Sequence, residues 1–373
     1  MRDVNGTGAS ATGGVESPGE TQSSLPTLAD IQAAREAIIG PPGGAGAIRT
    51  PLVRLDATSR RGDGPEIYLK LENLQPIGSF KIRGAAAVMA ATPAHELARG
   101  VVTASAGNMA QGVAWLARER GIPCTVIAPE SAPTVKTDAV ERMGGRVLRV
   151  PFEEWWRAFE EHAYPGVNGV FVHAFDDPRV MAGNGTIALE ILEDLPDADA
   201  IITPWGGGGL TCGVAAAVRA LRPQTRVYAA EVAGAAPLAA ALAAGKPVGI
   251  DYQPSFVDGI GSPTVFPQML ERARPLVAGS LVAPVDDVAQ ALLLMVERNH
   301  VLAEGAGACP VACALAGGAG AGKIVCVVSG GSIHLTEVAA LAGHAGNRRR
   351  SGGPEGRGGG GGSNRKEAGR GRK

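Results

Sequence analysis

The stretch Leu69-Lys70-Leu71-Glu72-Asn73-Leu74-Gln75-Pro76-Ile77-Gly78-Ser79-Phe80-Lys81-Ile82-Arg83-Gly84-Ala85 reads as a strand, a tight loop and then a helix. From Ile67 to Glu72 apolar and polar residues alternate as in a half-buried strand. Pro76 and Gly78 break that pattern, and an alanine-rich run continues to Ala91. Ser79 is the expected N-cap of the helix. Lys81 then falls in the first turn, where the positive end of the helix dipole works against another positive charge and favours a neutral amine. A neutral lysine amine is a nucleophile toward an aldehyde. A lone lysine behind a glycine loop also fits a solvated surface charge, so the rest of the chain has to decide.

With 373 residues, 45% of them apolar, the chain can bury a large core and is expected to form one or two domains. No apolar run approaches the roughly 20 residues a membrane span needs, and the N-terminus lacks the basic start and apolar centre of a signal peptide. A cytoplasmic protein is expected. Cys124, Cys212, Cys309, Cys313 and Cys326 form no CxxC pair, and an odd count fits reduced, buried thiols. Cys309 and Cys313, four apart, share a helix face but have no His pair nearby, so no metal is expected there. The formal charge of −1 hides an asymmetry: Ala345 to Lys373 carries seven Arg and two Lys against two Glu. Residues 1–25, rich in Gly, Ser, Thr and Glu, read as a disordered leader, and 345–373 as a disordered basic tail.

Between these ends, short apolar runs alternate with helical ones. Thr27 to Asp30 opens a short helix over Ile31 to Ile39. Val101-Val102-Thr103-Ala104 is a buried strand that runs into Ser105-Ala106-Gly107-Asn108-Met109, with a helix to Arg120. Cys124 to Pro129 is a strand, Val135 to Met143 a helix and Arg146 to Val150 a strand. Such alternation implies mostly parallel sheets covered by helices, an α/β fold. A loop of small residues between strand and helix directs backbone N–H groups outward, and reads either as an anion site or as a plain strand-to-helix turn. The same logic applies more strongly to Gly206-Gly207-Gly208-Gly209-Leu210, which follows the strand Ala200 to Pro204 and precedes a helix from Thr211. The pair Trp155-Trp156, with Phe159 and Tyr164, reads as core or interdomain packing, or as a wall of a pocket. Helices are expected over Ile187 to Leu192 and Asp286 to Asn299, and strands over Arg226 to Glu231, Leu281 to Val285 and Lys323 to Val328. Gly318 to Lys323 precedes a strand and lacks a Ser or Thr after the lysine, so it is no nucleotide phosphate loop.

Taken in order, the lysine segment, the Ser-Ala-Gly-Asn loop, the four glycines and Ser329-Gly330-Gly331 resemble the threonine and serine dehydratases, a pyridoxal-phosphate family of fold type II. The resemblance extends over roughly Ile48 to Ile333 and includes the Thr50-Pro51-Leu52 approach and the Asp258-Gly259-Ile260 turn. It implies two domains, each a mostly parallel twisted sheet covered by helices. Residues 26–92 and 181–344 would form the large, cofactor-binding domain and 93–180 the small one. It also implies that Lys81 carries pyridoxal 5'-phosphate and that Asn108 bonds its phenolic oxygen; Phe80 is expected either to pack on its ring or to belong to the ordinary core. Gly206, Gly207, Gly208, Gly209 and Leu210 would cup its phosphate, and Ser329 would bond its pyridine nitrogen. Ser105, Ala106, Gly107, Asn108 and Met109 would bind the substrate. Glu304 is expected either near the cofactor or as a helix cap. Met109 stands where the family has histidine, Ala106 where serine racemases have a second serine, and Ser332 where the motif has asparagine. Some relatives hold a cation with a glutamate like Glu231 and an acidic residue six positions later; here that position is Pro237, and no metal is expected.

A hydroxyl such as Ser329 cannot hold the pyridine nitrogen protonated as a carboxylate would, so the ring is a weaker electron sink and β-elimination is favoured over transamination. The expected activity is conversion of L-threonine, L-serine or another 3-hydroxy amino acid to a 2-oxo acid and ammonia. Without a hydroxyl at Ala106, racemisation lacks its second base. A lyase acting on a bulkier hydroxy or diamino acid is the alternative, a racemase a further one. A homo-oligomer, dimer or tetramer, is implied by kinship, and no regulatory domain is expected after about Leu341. Nucleic-acid binding through the Arg/Gly tail is a remote alternative, because the tail has no interleaved aromatics for stacking bases.

Overall fold

In a computed structural model, which describes residues 25–40, 46–56, 64–132 and 134–351, the alternation resolves into two sheets. The order is α1 (Leu28–Ile38), β1 (Leu52–Arg54), β2 (Glu66–Lys70), a 3-10 turn (Glu72–Leu74), α2 (Lys81–Ala90), α3 (Ala94–Leu97), β3 (Val101–Ala104), α4 (Asn108–Arg120), β4 (Cys124–Pro129), α5 (Thr134–Arg142), β5 (Arg146–Val150), α6 (Phe152–Glu161) and β6 (Val170–Phe171). Then come α7 (Pro178–Asp194), β7 (Ala200–Pro204), α8 (Gly209–Leu221), β8 (Arg226–Val232), α9 (Pro237–Ala244), α10 (Pro267–Ala273), β9 (Gly279–Ala283) and α11 (Val285–Leu294). A π turn (Met295–Asn299), α12 (Gly305–Leu315), β10 (Lys323–Val327) and α13 (Leu335–Ser351) complete the order.

One sheet has six strands in the order β1-β2-β10-β7-β8-β9, parallel except for the antiparallel β1–β2 edge. The other has four parallel strands, β5-β4-β3-β6. The central strands β3 and β7 are buried at every position, as expected for parallel strands covered on both faces. The described residues up to Ile333 form one compact unit. α13 falls in a second unit beginning at His334. Its backbone is helical through Ser351, so the segment expected to lack structure from 345 begins as helix. Alanine and leucine, strong helix formers, run into it from Leu335. Residues 352–373 and the leader to residue 24 lie outside the described residues. Among the described residues no helix is long and apolar enough to cross a membrane.

One helix differs from expectation in a way that matters for the site. α7 begins nine residues before the expected Ile187, capped by Asp177, whose carboxylate accepts from Arg179 N at 2.8 Å. Gly183 and Gly185 weigh against a helix by propensity, yet they let it approach its neighbours. A Cβ on Gly183 would lie 2.4 Å from the Arg83 carbonyl oxygen of α2, and one on Gly213 of α8 would lie 2.2 Å from that of Met181. Asn184-Gly185-Thr186, which matches a glycosylation sequon, is buried in this helix. The lysine helix α2 is buried continuously from Ile82 to Met89, packed between α7 and α4. Its small residues permit that close fit on both sides.

Candidate active site

Lys81 is the first residue of α2, and the turn before it is stitched to the chain leaving β10. Phe80 N donates to Ser329 O at 3.0 Å, Gly331 N donates to Gly78 O at 3.0 Å, and Ser79 bridges Gly330. The N-cap position is Phe80, not Ser79, and it has no side-chain cap. Ser79 Oγ still accepts a long bond from Lys81 N at 3.4 Å, two residues on, the contact expected of a capping serine. The Lys81 amine donates to Ala174 O at 2.8 Å and lies 5.1 Å from the centre of the Phe80 ring.

Burial pulls the amine down to about 8, against the Glu304 carboxylate, which works to raise it. Desolvation, rather than the helix dipole, is therefore the main cause. The neutral amine is the form that attacks an aldehyde, so capture of pyridoxal phosphate by cofactor-free protein is expected to quicken from pH 6 to 9 with a midpoint near 8. Stopped-flow absorbance measures it; a midpoint near 10 would mean a hydrated amine.

Three further segments close on this amine. β3 ends at Ala104, and Ser105 Oγ accepts from Gly107 N at 3.2 Å, shaping the loop. Asn108 opens α4, and its Nδ2 donates to both oxygens of Glu304 at 3.0 and 3.2 Å. Glu304 occupies the N-cap position of α12 without capping it by its side chain; the carboxylate faces Asn108 and Lys81 instead. Ala106 brings only a methyl group to the loop. Met109, expected among the substrate contacts, is 1% exposed and packs in the main core with Ile77 and Ile82.

The glycine loop follows β7. Gly208 sits at φ +92° and starts α8 with no side-chain cap, leaving the first N–H groups of the helix for a ligand. The side of the loop where side chains would project is occupied. A Cβ on Gly207 would lie 1.9 Å from the Phe175 ring, and one on Gly208 2.5 Å from buried Trp205. A Cβ on Gly206 would meet nothing closer than Gly259 O at 3.6 Å, so the Asp258-Gly259-Ile260 turn adjoins the loop. Ser329, 2% exposed, lies just past the end of β10.

Sequence reasoning missed the turn His173 to Asp176, which provides both the acceptor for Lys81 and the ring behind Gly207. A histidine between a two-residue strand and an undetected helix start gave no periodic signal. It also missed a buried ionic group, Lys70, Glu72, Arg83 and Glu190, beneath the lysine helix. Trp155 and Trp156 belong to an aromatic cluster with Phe159 and Phe175, and Trp156 stacks on Phe266 at 5.6 Å. That cluster bridges α6 and the entry to α10. Glu231 is engaged by neutral donors: Leu238 N and Ala239 N at 2.8 Å and Ser280 Oγ at 2.6 Å. Pro237 starts α9, so the carboxylate faces a helix N-terminus. Among the described residues no group of three His, Cys, Asp or Glu is arranged to hold a metal.

The family model for pyridoxal-phosphate dependent enzymes matches residues 45–330. An L-threonine ammonia-lyase of Thermotoga maritima is 41% identical over 254 residues, covering 68% of this chain and 63% of that one. The chain thus spans less than two thirds of the length of that relative. The structure of maize serine racemase superposes with a TM-score of 0.76 at 30% identity, covering 87% of this chain and all of the other. The structure of a T.th. threonine deaminase gives 0.71 at 31% identity over 83% of this chain and 99% of its own. A lysine amine whose pKa burial lowers, an uncapped glycine-started helix and a buried serine at a strand end thus all lie within the matched residues, and the chain belongs to the pyridoxal-phosphate dependent enzymes.

Proposed function

We propose that the chain converts L-threonine, L-serine or another 3-hydroxy amino acid to a 2-oxo acid and ammonia by β-elimination, with pyridoxal phosphate held at Lys81. The convergence of the Lys81 amine, the uncapped glycine loop and the Asn108–Glu304 pair on one site carries this reading. The residues fit the cofactor: a Cβ at Gly207 or Gly208 would collide with an aromatic ring, so the loop stays bare backbone, free to approach a phosphate. When bound, the pyridoxal group supplies the electron sink for bond breaking at the substrate α-carbon.

The chain's own residues do the rest. Gly206 to Leu210 offer N–H groups to the phosphate, Ser329 a hydroxyl to the ring nitrogen and Asn108 an amide to the phenolic oxygen. Phe80 flanks the ring. The Ser105–Gly107 loop, built on the four-stranded sheet, binds the substrate carboxylate; residues 93–180 are the smaller domain in this reading. Lys81, neutral above about pH 8, takes the α-proton. Ala106 can neither give nor take a proton on the opposite face, which favours elimination over racemisation.

Hydride reduction of the yellow holoprotein followed by peptide mass spectrometry should place the adduct on Lys81. A panel of hydroxy and diamino acids should then release ammonia and 2-oxo acid from threonine or serine first. An adduct on another residue, or ammonia from diamino acids alone, would overturn the respective half of the proposal.

A further inference from the structure

His173 leaves β6 with its side chain folded back onto its own backbone. Nδ1 accepts from Phe175 N at 3.2 Å and from Asp176 N at 2.6 Å. Both partners are N–H donors, so Nδ1 carries no proton and the hydrogen of the neutral ring is on Nε2. This is the geometry by which Asn and Asp close Asx turns, performed by an imidazole. The ring is 3% exposed and wedged against Phe159 at 4.3 Å, His162 at 4.5 Å and Phe175 at 4.7 Å. Burial, then His162, pushes its pKa down to about 3, with Lys81 and Arg272 adding to this and Asp176 opposing. The ring therefore stays an acceptor throughout the working pH range.

The turn so formed serves the site at three successive residues. Ala174 gives its carbonyl to the Lys81 amine. Phe175 places its ring where a Cβ on Gly207 would be, and its carbonyl oxygen 2.7 Å from where one on Gly209 would be. Asp176 is tied to Gln268 Nε2 at 2.8 Å and to Arg272, which anchors the turn to α10. Lysine and glycine loop come from helices 128 residues apart, α2 and α8, and this short turn touches both.

Resting on the cofactor reading above, we propose that His173 is a positioning residue of this site. Its bare Nδ1 sets the turn that holds the Lys81 amine in register with the glycine loop.

The test compares three full-length variants with the natural chain. His173→Phe keeps a ring in the aromatic cluster and removes the acceptor. His173→Asn puts Oδ1 where Nδ1 stands, and His173→Gln moves the acceptor one bond outward. In cofactor-free protein, hydrogen exchange of the Phe175 and Asp176 amides should speed up by about tenfold or more in His173→Phe, from loss of a buried hydrogen bond to each. Capture of pyridoxal phosphate at Lys81, followed by absorbance, should slow by a similar factor, about tenfold. In the loaded enzyme kcat should fall more than KM changes. His173→Asn should recover exchange and capture to within about threefold, and His173→Gln should not. If His173→Phe does not fold, the Asn and Gln variants decide. Equal behaviour of those two, or natural capture rates in a His173→Phe protein of lowered melting temperature, would reduce His173 to a packing residue and overturn the proposal. Absence of any Lys81 adduct in the natural protein would instead sink the cofactor reading, leaving the amide-exchange result standing.

Discussion

Substituting methionine for Lys81 should abolish turnover and, in cofactor-free protein, raise stability at neutral pH. The rate should fall by about 10⁴-fold or more, because a positioned general base alone contributes about 10²–10⁴ and Lys81 is also the tether. The stability gain follows from the amine itself. Its ordinary value of 10.5 is lowered to about 8 in the fold by burial, which means the charged form is disfavoured there. A depression of that size penalises the native state by on the order of 3 kcal/mol at low pH. The sign is fixed by proton uptake. Below pH 8 both folded and unfolded chains carry the proton and the whole penalty is present. Between 8 and 10.5 the unfolded chain keeps a proton the native state has released, and the penalty shrinks to nothing. Methionine keeps the apolar stem and loses the charge, so Lys81→Met should melt higher than the natural protein at pH 7 and level with it near pH 11. Urea unfolding at the two pH values measures this. A variant that is less stable at both would mean that the bond to Ala174 outweighs desolvation.

The order of chemical segments was legible because each rests on local rules: glycines before a helix, a serine after an apolar strand, a lysine in a first turn. The parallel sheets were legible because β3, β7 and β10 are continuous apolar runs. What escaped was tertiary. α7 runs through two glycines whose helical cost is offset by contact with α2 and α8, which no propensity scale contains. The tryptophan pair could be given to packing or to a pocket wall, and only the stacking of Trp156 on Phe266 shows which element it meets. The alternation from Ile67 to Glu72 reads as a half-buried strand, yet its polar residues Lys70 and Glu72 are fully buried because an ionic group beneath α2 receives them. His173 was invisible because its partners are its own neighbours' amides, a contact without any pattern in residue type.

That ionic group is where the second large effect is expected. Arg83 donates to Glu72 through Nε at 2.7 Å and Nη2 at 2.8 Å, and to Glu190 through Nη1 at 2.7 Å and Nη2 at 3.0 Å. Lys70 Nζ donates to Glu190 at 2.5 Å and to Thr50 O at 2.6 Å, and Thr50 Oγ1 to Glu72 at 2.6 Å. Two cations and two anions cancel, and each is at most 1% exposed. Burial works to raise the Glu190 carboxyl, but Arg83 and Lys70 hold it below the ordinary carboxylate range. Its share of stability is therefore present at neutral pH and lost as pH falls through that lowered value. Arg83→Met removes one cation and leaves two buried carboxylates facing one amine, which should cost about 3–5 kcal/mol. Because protonating one carboxylate relieves that imbalance, the gap to the natural protein should narrow in acid. Arg83→Met with Glu72→Gln removes one charge of each sign, and the pair should recover about 0.5–3 kcal/mol relative to additivity. Since Arg83 lies two residues from Lys81 and ties α2 to α7 and to the turn after β2, the single variant should also capture cofactor more slowly. Urea unfolding of the four proteins of this cycle at pH 7 and pH 4 decides it. Additive losses, or a gap that widens in acid, would mean that the four charges do not act as one unit.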